Sequence, residues 1–597
     1  MILQALHTLY NRKKDDLPPP GFESKEIPFL IVIDKNGQFI ALQDTRTKDG
    51  KKLFSKKFTV PKEKEGRSGK NAWKMANILW DHYGYVLGWP KSENDSDIQM
   101  AKKQHQSFKT AIALISNTYP NNIEIQAVKN FLAKETFDDV FASQEWQECR
   151  KIKGCNLSFI LEGSTRLVCE NEDIQSWCSD ASTNEEDADE SNDLQDKEGI
   201  CLVTGERAVI ARLNPRTPIL GARSNAKIVA FQTNMGFDSY GKEQSYNAPV
   251  SKKASFAYST ALSYLLAKES KQKLLAGDAT TVFWAEKEHQ LENVFADFFG
   301  EPAKDDQTQD IKSLIAALRA PQIGARPELD PQTKFYVLGL APNAARIAVR
   351  FWYEGTVQQI LDHIERHFED CAIVHGPNQP ATHSLFKLLV STAVQSDAKN
   401  IQPNLSGDMM RSILNGTPYP KSLLAAVMNR IKAEQSKKDQ KGKSIQNVSY
   451  ARTSLIKAIL VRESRYYHSD QKEVGMSLDI TNKNIGYRLG RLFAALEKAQ
   501  EAANPGINAT IRDRFYGAAS STPVAVFALL MKLKNHHIAK LENRGRAINF
   551  EKLIGEIMSG IDEFPAQLSL SDQGRFAVGY YHQRQDFFTT KENKNNN

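Results

Sequence analysis

The chain has 597 residues, enough for about three or four domains, and 41% of them are hydrophobic, which excludes global disorder. Its net charge of +7 is mild on average but unevenly placed: residues 51–70 hold eight Lys or Arg against Glu63 and Glu65, Arg430 to Lys443 is again basic, and Asp180 to Glu198 is acidic. Separation of this kind points to phosphate-facing patches and a repelled linker rather than one evenly solvated surface. Met1 to Tyr10 reads as a short amphipathic helix and not as a secretory signal. No apolar run approaches the roughly 18 residues of a membrane span, so no membrane role is expected. Six irregularly spaced cysteines without a C-x-x-C pair fit a reduced compartment, with a zinc site among the first five as the alternative.

In chain order, Leu17-Pro-Pro-Pro-Gly21 forces a turn. Phe29 to Ile33 and Gln38 to Leu42 read as strands joined by Asp34-Lys-Asn-Gly37, whose Asn-Gly pair supplies positive φ angles. Lys51 to Asn71 reads as a basic loop with a short strand at Phe58 to Val60. Within it, Gly66-Arg-Ser-Gly-Lys70 has half of a phosphate-cradling loop. A P-loop needs four residues between its glycines and Ser or Thr after the Lys; here two intervene and Asn71 follows, so nucleotide hydrolysis is rejected. Asp97 to Glu148 reads as helical, with Ile112, Ala113, Leu114 and Ile115 as core candidates. Leu157 to Leu161 and Arg166 to Val168 read as strands, and Ser179 to Gly199 as a solvated acidic insertion.

Further on, Ile311 to Arg319 reads as a helix between loops, and Phe335 to Leu340 as a buried strand. Asn343 reads as the cap of a short helix or turn that carries Arg346 and Arg350 one turn apart, either to straddle a phosphate backbone or as an ordinary exposed face. His363 and His367, with Cys371 a turn on, put three possible ligands on one helix. The spacing is H-x-E-x-H and not H-E-x-x-H, so a structural or solvent-facing helix is expected and no metal. From about Asp397 the chain reads as helical. Apolar stripes at Leu489/Leu492/Phe493/Leu496, Val526/Leu529/Leu530/Leu533, Phe550/Leu553/Ile554/Ile557 and Phe576/Tyr580 suggest four helices that close as a bundle. Arg488, Arg491, Arg512, Arg514, Lys532, Lys534, Arg544 and Arg546 lie on or beside them, as a strand-tracking surface or a merely solvated basic face.

The densest stretch runs from Cys201-Leu-Val-Thr-Gly-Glu206 through Ala208-Val-Ile-Ala-Arg212, Ser239-Tyr-Gly-Lys-Glu-Gln244 and Asn247-Ala-Pro-Val250. An Ala- and Tyr-rich helix (Ala254 to Ala267) follows, then Thr281-Val-Phe-Trp-Ala285. Lys242, Gln244 and Asn247 are the polar groups its loops would present, toward DNA or a subunit, or inward, with Asn247 stabilising the turn before Ala-Pro. This stretch resembles the large subunit of the type I-C CRISPR surveillance complex (Cascade). Supporting matches are Met1-Ile-Leu-Gln-Ala-Leu6, Leu17-Pro-Pro-Pro-Gly-Phe22, Leu79-Trp-Asp81 with Tyr85-Val-Leu-Gly88, Phe335-Tyr-Val-Leu-Gly-Leu340, Asn343-Ala-Ala-Arg346 and Val349-Arg-Phe-Trp352.

The resemblance implies a cytoplasmic, prokaryotic, non-enzymatic protein without a cofactor. It implies partnership with crRNA, double-stranded target DNA, the backbone subunits, the crRNA 5′-handle subunit, a small subunit and a recruited helicase-nuclease. The fold expected is α+β: a mixed short-strand and helix N-terminal portion followed by an all-helical C-terminal bundle. Its segments are 1–178, the acidic 179–199, the signature region 200–396, a helical connector 397–475 and the bundle 476–597. Ser68, Gly69, Lys70 and Asn71 are the candidates for reading the PAM, with Lys56, Lys57, Arg67, Arg346 and Arg350 on phosphates. The resemblance also implies a separate small subunit made from an internal start, for which Met476 is the candidate: it precedes the helical stripes, and Lys472-Glu473 can be encoded by a purine-rich ribosome-binding sequence. Rival readings are an RNA-binding assembly scaffold without PAM reading, and a metal-dependent nuclease.

Overall fold

The computed structural model describes residues 2–50, 52–64, 67, 71–184, 197–223, 225–233, 235–237, 241–276, 279–300, 330–344, 346–402, 404–438, 442, 444–469 and 473–588. The fold is α+β, with its sheets toward the N-terminal half and helices toward the C-terminal part. Contacts group the chain into two units, Met1–Thr217 with Val229–Tyr264, and Pro218–Ile228 with Leu265–Asn597.

The first unit contains helix α1 (Ile2–Arg12), strands β1 (Phe22–Glu26), β2 (Phe29–Ile33) and β3 (Phe39–Asp44), a small ribbon of β4 (Thr47–Asp49) and β5 (Lys52–Phe54), then β6 (Lys57–Pro61) and β7 (Trp80–His82). Helices α2 (Tyr83–Val86), α3 (Asp95–Thr118), α4 (Ile123–Leu132), α5 (Asp138–Phe141) and α6 (Gln144–Cys149) lead to β8 (Asn156–Leu161). After them come α7 (Glu172–Asn184), β9 (Glu198–Ile200), β10 (Arg207–Val209) and α8 (Lys252–Leu266). Every residue of β2 is apolar because it is a central strand: the sheet order is β3-β2-β8-β7. β2 and β8 run parallel, Phe29 opposite Leu157, so a crossover must join them, and α3 to α6 lie within it. Trp80, Phe108, Phe131, Trp146 and Phe159 fill the core.

Several local expectations are corrected. The 34–37 turn has positive φ only at Gly37 (+83°), with Asp34 Oδ1 accepting from the Asn36 and Gln38 amides. Leu114 is 58% exposed, on the outer face of α3. Arg166 to Val168 is not a strand but a single bridge, Ile160 to Leu167, running into a 3-10 turn at Val168–Glu170. The basic loop begins with β5, which pairs with β4 just before it in a ribbon unread because each strand is only three residues long. The expected helix at 311–319 lies outside the described residues.

The second unit opens with β11 (Lys273–Ala276), β12 (Ala279–Ala285), α9 (Leu291–Phe299), β13 (Lys334–Asn343) and β14 (Arg346–Thr356), an antiparallel meander in sequence order. The turn expected to be helical at 343–350 is β14 instead, since Ile347, Phe351 and Tyr353 are needed as inward strand residues. Helices α10 (Val357–Cys371), α11 (Leu385–Val390), α12 (Leu405–Asn415), α13 (Lys421–Ala433) and α14 (Tyr450–Tyr466) follow. The C-terminal helices are α15 (Ile485–Ala503), α16 (Ile511–Ser521), α17 (Val524–Ala539), α18 (Arg544–Met558) and α19 (Leu570–Asp586). Among the described residues the segment after Met476 thus has five helices; α16 has only a short stripe of Ile511, Tyr516 and Ala519 to mark it in the sequence. Leu529 was wrongly placed inside and is 46% exposed. One hydrophobic core runs from Leu274 to Tyr581.

α15 and α19 cross with their backbones nearly touching. A Cβ on Gly490 would collide with the Phe576 carbonyl oxygen and stand 2.8 Å from the Tyr580 nitrogen. Gly486 faces the Asp572 carbonyl and Gly579 the Tyr487 carbonyl in the same way. Backbone cannot yield as a flexible side chain does, so Gly490→Ala should destabilise the full-length chain by about 3 kcal/mol. Urea denaturation followed by circular dichroism measures it; Gly555→Ala, with open space around it, is the control expected to change little.

Candidate nucleic-acid interface

The basic loop of the first unit is tied down at its root. Asp81, buried on β7, accepts from Arg67 (2.7 Å), the Asn77 amide (2.9 Å) and the His82 amide (2.8 Å). Burial pushes its carboxyl up, against the pull of Arg67. The Arg67 guanidinium also lies 4.7 Å over the Tyr85 ring. Glu63 pairs with Lys25 (2.8 Å) and Arg216 (3.2 Å). Burial works against the Glu63 charge, but Lys25, Arg67 and Arg216 outweigh it and hold the carboxyl below its usual range. The Trp80 indole donates to the Pro61 carbonyl (2.7 Å) and the Tyr85 hydroxyl to that of Ala72 (2.7 Å), closing the root from both ends. His82 is held neutral, its pKa lowered to about 4 by burial and by Arg67.

Arg67 is therefore an anchor, engaged with a buried carboxylate, and not a phosphate contact. Ser68, Gly69 and Lys70 lie outside the described residues. Asn71 is exposed, and its side chain makes no capping bond to the 3-10 turn Ala72–Lys74, whose Lys74 amide donates to the Asn71 carbonyl (3.0 Å). Lys56 and Lys57 are exposed. Sequence reasoning missed Trp73, which has the ammoniums of Lys74 and Lys103 at 5.8 and 5.9 Å from its ring centre. The adjacent Trp-Lys pair was the available signal; the Lys103 contribution arrives from α3.

In the signature stretch, a buried polar centre explains the residue density. Asn214 receives Tyr258 (2.8 Å) and Ser255 (3.1 Å) on its oxygen and donates to Ser245 (2.8 Å). Gln244 accepts from Arg212 (2.7 Å). Asn247 donates to the Gln244 carbonyl (2.9 Å) and to that of Phe237. Both face inward and stabilise the turn; of the three candidates, Lys242 is the exposed one.

In the second unit, Arg346 and Arg350 are exposed on β14, Arg350 at the irregularity where Gly339 and Leu340 oppose Phe351 and Val349. Two C-terminal candidates are core residues. Arg491 bonds Gln583 and Glu556 (both 3.1 Å), and Arg512 bonds Ser444 and Asp513. Each is almost fully buried and cannot track a strand. Arg488 donates to the Asn482 carbonyl (2.9 Å), and Lys534 pairs with Glu551 (2.9 Å). Arg514, Lys532, Arg544 and Arg546 are exposed.

The α10 histidines bond inside the protein, His363 partly buried and His367 fully so. His363 meets the Leu414 carbonyl (2.5 Å) and His367 the Tyr419 hydroxyl (2.6 Å), the latter kept neutral by burial with its pKa lowered to about 3. Among the described residues no His, Cys, Asp and Glu group is arranged to hold a metal, and no helix is long and apolar enough to cross a membrane. Asn247→Ala should lower stability by about 1–2 kcal/mol through stranded carbonyls, while Lys242→Ala should leave it unchanged; thermal denaturation of the two variants checks the assignment.

No curated protein matches this chain. A family described as CRISPR-associated protein (Cas_Csd1) matches residues 6–588, nearly the whole length. With that coverage, the chain belongs to the Csd1 family of CRISPR-associated proteins, the large subunit of type I-C systems.

Proposed function

We propose that this chain is the DNA-surveying subunit of a crRNA-guided Cascade. It reads the PAM of double-stranded DNA, helps open the duplex, stabilises the R-loop and serves as platform for the helicase-nuclease, breaking no bond itself. The observation that carries the reading is the rooted basic loop: Asp81 and Arg67 on one side of 68–70, and Tyr85 with Ala72 on the other, fix both flanks. A loop that reads base edges needs such support, because recognition depends on rigid placement. Lys70 and Asn71 are the groups for base edges. Lys56, Lys57, Arg346, Arg350 and the four exposed C-terminal cations are the groups for phosphates. Guide pairing carries the remaining sequence specificity, the division of labour found in another RNA-guided effector.

Lys70→Ala or Asn71→Ala in the assembled complex should lose about 1–3 kcal/mol of PAM discrimination, read by gel shift against a randomised PAM. A uniform loss of affinity with a shallower salt slope would make them phosphate contacts instead. Wild-type binding that ignores the flanking duplex favours the RNA-binding scaffold, and metal-dependent DNA cleavage by the isolated chain favours a nuclease.

The reading includes an internal start at Met476, which gives free copies of 476–597 as a small subunit. Met476 is 57% exposed between α14 and α15, so starting there interrupts no helix. In the full chain, Gln573 accepts from Lys432 (2.7 Å), and Leu424, Ile456 and Leu460 pack against Gly574. A free copy lacks α13 and α14, bares that side of α19 and needs another surface to cover it. Replacing the Met476 codon should remove a short C-terminal product from the purified complex and weaken its assembly on DNA. Mass spectrometry that finds no such fragment with the codon intact overturns the internal start.

A further inference from the structure

The β4–β5 ribbon carries apolar side chains that the core of the first unit does not use. Among the described residues it is a two-stranded sheet, turned at Gly50 (φ +57°). Pairing sets Lys48 opposite Leu53 and Thr47 opposite Phe54. Neighbours along a strand point to opposite faces, so Leu53 and Phe54 lie on different sides. They are 56% and 41% exposed, so neither face of the ribbon is sealed against the core.

A ribbon of this size is marginal by itself, and its root is held instead. The Thr45 hydroxyl donates to the Ile27 carbonyl (2.6 Å) and the Pro28 carbonyl (3.1 Å). Arg46 bonds Asp44 through Nε (2.9 Å) and lies 4.7 Å over the Phe29 ring. On the other side, β6 pairs with β1 over five positions. The result is a firm base beneath an apolar tip.

The surrounding charge selects the partner. Residues 47–57 contain five lysines (Lys48, Lys51, Lys52, Lys56, Lys57) against Asp49 alone, and Lys48, Lys56 and Lys57 are exposed. A membrane contact gathers apolar groups on one side, whereas Leu53 and Phe54 sit on both. Two-sided apolar groups among phosphate-binding cations suit insertion against unstacked bases. We propose that the ribbon binds DNA where bases are unpaired, with Leu53 and Phe54 covering base faces and Lys48, Lys56 and Lys57 holding the adjoining phosphates. This rests on the DNA-surveying reading and adds a contact separate in sequence from 68–71.

The test uses the full-length chain and fluorescence anisotropy with a labelled duplex, and with the same duplex carrying a short central bubble. Leu53→Ser with Phe54→Ser should keep the circular dichroism spectrum, lower bubble affinity about tenfold and change duplex affinity by less than about twofold. Lys48→Ala with Lys56→Ala should weaken both and reduce the salt slope. Wild-type binding to the bubble that the Leu53/Phe54 change leaves intact overturns the ribbon's role alone. A wild-type chain that binds neither DNA overturns the DNA-surveying reading together with it. Loss of binding to phosphatidylserine vesicles, with DNA binding unaltered, reassigns the ribbon to a lipid surface and overturns the proposal.

Discussion

Three buried cations on α14 fix the helical part of the second unit. Arg452 donates to the Ser391 carbonyl (2.9 Å) at the end of α11, and Lys457 to the Asp370 carbonyl (2.9 Å) at the end of α10. Arg462 donates to the Ser412 and Thr417 carbonyls (2.7 and 2.6 Å) where α12 ends. Each helix end leaves carbonyls without partners and a partial negative charge. A buried cation is costly unless it is fully bonded. The two costs cancel only in this arrangement, so α14 sets the axial position of three helices that apolar packing alone would let slide. Burial lowers the pKa of Lys457, while Arg465 closes the set with two bonds to Asp370 (2.8 and 2.7 Å).

The same core continues into the C-terminal helices. Gly486, Gly490 and Gly579 let α15 and α19 approach until backbone meets backbone, and almost every residue from Gln573 to Gln583 is buried. A helix buried all round needs neighbours on every side, and for α19 these include α13 and α14. The apolar stripes after Met476 therefore describe part of a larger packing rather than a sealed bundle.

Strong periodic signals were legible before any coordinates. The all-apolar run of β2, the buried strand β13 and the stripes of α15 and α18 depend on near neighbours in the chain, and pattern reading captures those. Arg346 and Arg350 were assigned to a helical turn because spacing by four suits a helix as well as one strand face; pairing of β13 with β14 decided it. The same gap explains the site. Arg67 looked available for phosphate because its partner, Asp81, is fourteen residues on, and Asn247 left both roles open until the Gln244 and Phe237 carbonyls closed around it.

Positive charge in this protein divides into two kinds by what stands beside it in the chain. Arg491 interrupts an apolar stripe between Leu489 and Leu492, so the helix carries it inward and Glu556 and Gln583 must meet it. Arg544 and Arg546 precede the stripe of α18, in its first turn, and remain outside. Lys48 in β4, and Lys56 and Lys57 at the start of β6, likewise remain exposed, while Val60 further along β6 is the residue drawn into the core. Net charge alone is thus a poor measure of a phosphate-binding surface. The cations on α14, together with Arg67, Arg491 and Arg512, are consumed by the fold, and the field a nucleic acid would meet comes from exposed cations such as Lys56, Lys57, Arg346, Arg350, Arg514, Lys532, Arg544 and Arg546.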